Sequence, residues 1–169
     1  MDMGEIYNRY GTEVYRFLLR MSGNPALSED ITQTTFLKAI EKIDTFQNQC
    51  SLKTWLCQIA KNEYLNERKK KESQNVTLEE EVIPKSQADA GLEKQLADAE
   101  TAKEIREAVH KLKEPYKEVF LLRVYGELSF RQIAELFGKS EVWGRVTYLR
   151  SREKVAELWK KGMEDNGRS

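Results

Sequence analysis

Lys139, Arg145, Arg150, Arg152 and Lys154 stand against only two acids, Glu141 and Glu153, across residues 139–154. Cationic side chains at this density hold phosphates, and an arginine can also read a guanine edge through two hydrogen bonds. The letters "GKS" at 138–140 raise a competing phosphate chemistry, the Walker loop G-x-x-x-x-G-K-[ST]. Its first glycine would have to stand at position 133, which is Ile133. The curl that aims backbone N–H groups at a phosphate cannot form there. "FGKSE" therefore reads as the turn between two helices.

Covalent chemistry finds no comparable set of residues. With one histidine, His110, the chain has no Ser/His/Asp or Cys/His constellation and no H-E-x-x-H pair. Cys50 and Cys57 lie seven apart and far from His110, too few ligands for zinc. They read as reduced structural thiols, and no metal or cofactor is expected. The adjacent acids Glu29 and Asp30 sit at a predicted helix start, where the helix dipole explains them.

The elements that must carry these residues are helical. The chain has 169 residues, 40% hydrophobic and 33% charged, with only three prolines and nine glycines. No run approaches the roughly 18 apolar residues of a membrane helix, and the acidic, amphipathic start "MDMGEIYNRYG" is no signal peptide. Residence in the cytoplasm is the default expectation. Ile6, Tyr7, Tyr10, Val14, Tyr15, Phe17 and Leu18 recur at helical spacing. "SGNPALSED" breaks that pattern, and Ser28 is the expected N-cap of a second helix with Ile31, Phe36, Leu37, Ile40 and Ile43 inward. After the loop "DTFQNQCS", Ser51 can cap a third helix whose apolar face is Leu52, Trp55, Leu56, Ile59, Ala60 and Leu65. No strand pattern and no internal repeat is visible.

The zero net charge conceals an asymmetry. Residues 1–72 carry +1, residues 73–104 carry −5 and residues 105–169 carry +4. The acidic stretch holds Pro84 and Gly91, lacks aromatics and is too long for a loop inside one domain, so it reads as a linker. The fold expected is all-α: two small helical domains, residues 1–72 and 101–169, joined by a flexible acidic linker at 73–100. In the second domain Pro115 begins a helix and Gly126 ends it.

Beyond that helix the pattern is that of a helix-turn-helix. Ile133, Leu136 and Phe137 share a face, Ala134 permits close passage of a second helix, Gly138 suits a left-handed exit and Ser140 a following N-cap. The second helix has a predicted core stripe of Gly144, Tyr148, Ser151, Val155 and Leu158. Arg145, Thr147, Arg150, Arg152 and Lys154 fall on its other side, as a DNA-reading helix requires. A basic face can also be merely solvated, and Gly144 stands where a branched aliphatic residue is usual. Read alone, this half would equally suit an independent DNA-binding regulator whose N-terminal helices dimerise or sense a signal.

"DITQTTFLKAIEKIDTF" followed by "SLKTWLCQIAKNEYLNERKK" resembles region two of the extracytoplasmic-function (ECF) sigma factors of the sigma-70 family. Their pattern is D-[LIV]-x-Q-[ED]-x-F and then T-W-L-x-x-I-A-x-N with a basic run. "EPYKEVFLLRVYGELSFRQIAELFGKSEVWGRVTYLRSREKV" resembles their region four. The two resemblances occur in family order across the acidic linker and cover most of the chain.

The resemblance implies a dissociable, non-enzymatic subunit that binds bacterial core RNA polymerase at the clamp helices of its largest subunit and at the flap, and directs it to promoter DNA. It implies that Asp30, Gln33 and Thr34 meet the clamp, with Thr34 departing from the family's usual acid. It places the −10 element against the loop at residues 46–51 and the helix after it. There Asn48, Gln49 and Ser51 can read base edges, Lys53 and Lys61 can hold phosphates, and Asn62 and Arg68 extend the basic surface. It places the −35 element against Arg145, Val146, Leu149 and Arg150, with Val146 and Leu149 either on thymine methyls or half-buried, Thr147, Arg152 and Lys154 on the same side, and Arg131 and Lys139 on the backbone. An anti-sigma factor, often membrane-anchored in the family, is expected on resemblance alone.

Overall fold

Asp2 starts the first helix by accepting the Gly4 N–H at 3.0 Å, and α1 then runs Met3–Ser22. The structure, a computed structural model, describes residues 2–74, 99–165 and 167. All regular elements among them are helical, and they form two compact units. The expected linker at 73–100 lies almost wholly outside the described residues.

In the N-terminal unit α1 is followed by α2, Pro25–Lys42, a 3-10 turn, Ile43–Thr45, and α3, Leu52–Ser73. The three helices enclose a core of Ile6, Val14, Phe17, Leu18, Met21, Ile31, Phe36, Leu56, Ile59 and Tyr64. Tyr64 fills the space between α1 and α3 and donates its hydroxyl to the Met21 carbonyl at 3.4 Å. Tyr7, expected inside, is largely exposed, with its ring edge on Phe36 at 5.0 Å.

The expected start of α2 is corrected. Asn24, not Ser28, is the N-cap, accepting the Leu27 N–H at 3.0 Å with Pro25 in the first turn. Ser28 lies inside the helix, fully buried, and donates to the Asn24 carbonyl at 2.7 Å. Glu29 and Asp30 are thus past the first turn, where the dipole has little hold on them. A second correction follows from the same cause. Ser28, Thr32 and Thr35 occupy the inward face, with the threonine hydroxyls bonded to carbonyls four residues back, both at 2.7 Å. Hydroxyls satisfied within their own helix can be buried at little cost. That register turns Leu37 and Ile40, expected inward, out to solvent, and leaves Ile43 half-buried.

The C-terminal unit contains α4, Ala99–His110, α5, Tyr116–Phe120, continuing into a π turn, Leu121–Tyr125, then α6, Phe130–Phe137, and α7, Glu141–Asp165. Pro115 stands before α5 and Gly126 after the π turn, as expected. Val109, Leu112, Val119, Phe120, Leu121, Leu122, Leu128, Ile133 and Val155 form the core. Trp159 ties α7 to α4 by donating its indole N–H to Glu104 Oε2 at 2.9 Å.

Cys57 is buried and Cys50 half-buried, and neither forms a disulfide. Burial pushes the Cys57 thiol from its usual 9.0 up to about 12, with the nearby Lys53 charge opposing the rise. At pH 8 iodoacetamide should therefore label Cys50 and spare Cys57 until the unit unfolds, read by mass spectrometry of the folded protein. Labelling of both at equal rates would contradict the packing.

Candidate nucleic-acid interface

The helix-turn-helix is built by capping. Ser129 accepts the Gln132 N–H at 3.0 Å while Gln132 Oε1 accepts the Ser129 N–H at 2.8 Å, closing a capping box on α6. Gly138 leaves the helix at φ 64, a left-handed conformation that costs glycine nothing. The Lys139 N–H then reaches the Ala134 carbonyl at 3.0 Å and the Gly138 N–H the Glu135 carbonyl at 3.4 Å, the two bonds of a Schellman ending. Ser140 caps α7 by accepting the Trp143 N–H at 3.1 Å. "FGKSE" is the turn that the failed Walker pattern left as the alternative.

Gly144 is explained by contact. A Cβ there would lie 3.0 Å from the backbone carbonyl oxygen of Phe130, a tight contact, so glycine lets α7 cross α6 here with no adjustment and a branched side chain would not fit. Trp143 packs on Phe137 instead, ring centroids 5.2 Å apart. The guanidinium of Arg123 covers the Phe130 ring at 4.1 Å and donates to the Leu128 carbonyl at 3.0 Å, bracing the start of α6 from behind.

This seating fixes which side of α7 faces out. Gly144, Thr147, Ser151 and Val155 are buried, and Tyr148 and Leu158 are half-buried. Thr147 is a correction: it is buried on the core side of α7 with Gly144, Ser151 and Val155, and not on the outward face where the sequence pattern puts it. Arg145, Val146, Leu149, Arg150, Arg152 and Lys154 are exposed, as are Arg131 and Lys139. Arg145 lies 3.9 Å from Glu141 and Arg131 3.5 Å from Glu135, both exposed pairs of little strength. Lys154 lies over the Tyr116 ring at 5.0 Å. Arg150 makes no ion pair among the described residues.

A second surface lies at the loop before α3. Asn48 is exposed and left-handed at φ 57, a conformation asparagine tolerates better than most residues. Gln49 is exposed, and its amide donates to Gln47 Oε1 at 3.1 Å. Ser51 is exposed, but its hydroxyl oxygen caps α3 by accepting the Thr54 N–H at 3.1 Å. Trp55 is half-buried and lies on Phe46, centroids 4.9 Å apart, while Leu52 and Leu65 are also only half-buried. The buried side of α3 is instead Leu56, Cys57, Ile59, Ala60 and Tyr64.

Lys61 requires a correction. It is buried, like Leu56, Cys57, Ile59, Ala60 and Tyr64 of the same helix, so its side chain is not presented to a phosphate. Asn62 beside it is exposed. Lys53 sits 3.8 Å from Glu13, and Arg68 contacts the Tyr64 hydroxyl at 3.5 Å and Glu72 at 3.6 Å. These two cations remain near the surface, and exposed pairs of this length open readily.

The third surface is the outward face of α2. Asp30 and Gln33 are exposed, and Thr34 is half-buried with its hydroxyl on the Asp30 carbonyl at 3.1 Å. Leu37 and Ile40 continue this face. Their spacing from Gln33, four and seven, was the signal that could have placed them there. Lys38 pairs with Glu63 of α3, whose hydrogen bond and charge raise the lysine pKa above its usual 10.5.

The family model for sigma-70 region 2 matches residues 6–74, and that for sigma-70 region 4 matches residues 102–155. The chain belongs to the sigma-70 family of RNA polymerase sigma factors. Among curated sigma factors it is similar to the ECF RNA polymerase sigma factor SigM of Bacillus subtilis, 27% identical over 165 residues, covering 98% of this chain and 99% of SigM. RNA polymerase sigma factor YlaC of the same organism is 27% identical over 163 residues, covering 95% of this chain and 94% of YlaC. This sigma factor is accordingly of the ECF type. The fold is that of the sigma factor RpoE of Bartonella quintana, solved in complex with the anti-sigma factor NepR, at TM-score 0.62 and 22% identity over 93% of this chain and 96% of RpoE. CnrH, solved with the cytosolic domain of CnrY, matches at TM-score 0.57 and 18% identity over 94% of this chain and 88% of CnrH. Sigma factors are initiation factors rather than enzymes. No helix among the described residues is long and apolar enough to cross a membrane.

Proposed function

We propose that this ECF sigma factor divides promoter recognition between its two units, with residues 1–72 serving core polymerase and the −10 element, residues 101–169 the −35 element, and residues 73–100 the tether. The observation that carries this reading is the outward face of α7, where Arg145, Val146, Leu149 and Arg150 are all exposed after a fully capped turn. Arg145 and Arg150 hold guanines or phosphates in the major groove, Arg152 and Lys154 extend the contact, and Arg131 and Lys139 grip the backbone. At the −10 element Asn48 and Gln49 read unpaired bases, Ser51 shapes the loop by its cap, and Lys53, Asn62 and Arg68 follow the strand. Asp30, Gln33 and Thr34 meet the clamp helices of the polymerase's largest subunit, and the second unit meets the flap.

The protein performs no bond chemistry. It positions polymerase at two elements and stabilises a few unpaired bases as the duplex opens. Two weak modules on a tether gain avidity only when polymerase holds them at the promoter spacing, so the free protein binds DNA weakly. It works in the cytoplasm, on the nucleoid when bound to polymerase. An anti-sigma factor restrains it, in keeping with the solved complex of RpoE with the anti-sigma factor NepR; anchored in the membrane, such a partner would hold it there.

Photocrosslinking tests the division. A photoreactive residue at position 149 in the polymerase complex should crosslink to the upstream element and one at position 49 to the downstream element. A reversed map, or one element serving both, overturns it. Gln33→Ala should weaken core polymerase binding about fivefold or more, a loss typical of one interfacial hydrogen bond, with both crosslinks retained at saturating core. Unaltered core affinity would remove the α2 face from the contact.

A further inference from the structure

The C-terminal unit carries a groove that the promoter-reading face does not use. It measures 210 Å³ and lies between α4 and the end of α7. From Leu149 to Gly162 the helix advances about 20 Å, so the groove stays open while α7 lies on DNA. Its floor is the half-buried Leu158, Trp159 and Met163. Its rim carries the carboxylates of Glu104, Glu107 and Asp165 against a single lining cation, Lys111.

Two features prepare the groove for an occupant. Trp159 donates its indole N–H to Glu104 at 2.9 Å, which fixes the ring in place before anything binds. Gly162 stands inside α7, where glycine weakens a helix relative to alanine. A Cβ on Gly162 would meet nothing within 4 Å, so packing within the chain does not call for glycine there. The missing side chain leaves the groove open at that point.

The size of the groove selects what enters. Pockets for small-molecule ligands measure about 300–1,000 Å³, whereas this one suits a single long side chain. The carboxylates repel the phosphates of DNA and favour a cation. An arginine satisfies the whole lining: its stem covers Leu158 and Met163, its guanidinium stacks on the Trp159 ring, and its fork meets Glu107 or Asp165. Glu107 and Asp165 are exposed and form no ion pair among the described residues, so both are available. All the α7 residues of the groove lie beyond residue 155, where the match to sigma-70 region 4 ends. Core polymerase and promoter DNA are partners that the whole family shares. A wall built outside the shared region suits a partner particular to this chain.

We propose that the α4–α7 groove seats an arginine side chain of a regulatory protein that binds this sigma factor at the promoter without displacing DNA. Occupation at the promoter rests on the −35 role proposed above for α7; the arginine seat itself does not.

An NMR titration of the full-length, isotope-labelled protein with N-acetyl-arginine methylamide, read at the indole N–H resonances, tests the seat. The Trp159 resonance, identified by its loss in Trp159→Phe, should shift saturably, with a dissociation constant on the order of 1 mM for a ligand of this size. Trp55 and Trp143 should not move. The lysine counterpart should bind several-fold more weakly, since an ammonium neither stacks nor forks. Glu107→Gln should weaken the arginine probe about threefold to fivefold. Gly162→Leu, which fills the groove at the surface, should abolish the shift and leave promoter-directed transcription with core polymerase unchanged. A Trp159 shift that does not saturate, or equal affinity for the lysine probe, overturns the arginine seat. Tighter binding of spermidine than of the arginine probe shows a free-polyamine site and overturns docking by a protein. Loss of core polymerase affinity in Gly162→Leu assigns the groove to the polymerase contact and overturns a separate partner. The titration uses neither polymerase nor promoter, so its failure would leave the −35 role standing.

Discussion

Gly144→Val should lower the stability of the C-terminal unit by about 3 kcal/mol and abolish recognition of the upstream element. The added Cβ would stand 3.0 Å from the Phe130 carbonyl oxygen. That oxygen is backbone in the first turn of α6, which the Ser129–Gln132 capping box holds in place, so it cannot turn aside as a side chain would. Valine brings two further carbons to the same contact, and the helices must separate. Overpacking of this kind costs about 1–3 kcal/mol; the better helix propensity of valine over glycine returns only a few tenths. Gly144→Ala should be nearly neutral, because a small yield at the carbonyl is offset by about 1 kcal/mol of helix propensity. Urea unfolding followed by the fluorescence of Trp143 and Trp159 measures both. A valine variant as stable as the parent would show that α6 and α7 do not approach closely at residue 144.

Arg150→Ala should reduce promoter-directed transcription by about 5- to 150-fold, corresponding to about 1–3 kcal/mol for a base-reading arginine. Arg150 is exposed and makes no ion pair among the described residues, so its full strength is available to DNA and its loss leaves no buried charge behind. Arg145→Ala should cost less, since Arg145 must first leave Glu141, 3.9 Å away, and the Phe130 ring, 5.6 Å away. Arg150→Lys separates the two chemistries. A phosphate contact survives in lysine as a point charge, whereas a bidentate guanine contact does not. Transcription unchanged in Arg150→Ala, at equal core affinity, would remove this residue from the interface.

The helix-turn-helix was the part most open to reading from sequence, because its turn depends on residue types with few alternatives. Ser129, Gly138 and Ser140 each do locally what their chemistry favours, and the register of α7 follows from them to within a fraction of a turn. Thr147 was misplaced by that fraction. The second helix of the N-terminal unit was harder. Counting apolar residues puts Leu37 and Ile40 inside, but Ser28, Thr32 and Thr35 can bond their hydroxyls to their own helix and be buried in their place. An amphipathic pattern does not reveal which polar residues will satisfy themselves in this way. Lys61 shows the same limit for charge: in a basic sequence it looks like its neighbours, and only the packing of α3 in the bundle puts it inside. The left-handed Asn48 is another local feature that composition alone did not announce. Both −10 and −35 assignments came from residue types in family order, and the surfaces on which they fall became visible only once the buried faces were known.

The central claim is that this chain gives core polymerase a promoter choice that it does not otherwise have. Run-off transcription on fragmented DNA from the protein's own genome, with bacterial core polymerase in the presence or absence of the protein, tests it most directly. Discrete new transcripts are expected only when the protein is present, starting downstream of two shared elements at fixed spacing. Absence of such transcripts, together with sequence-specific binding of duplex DNA by the protein alone, would contradict it.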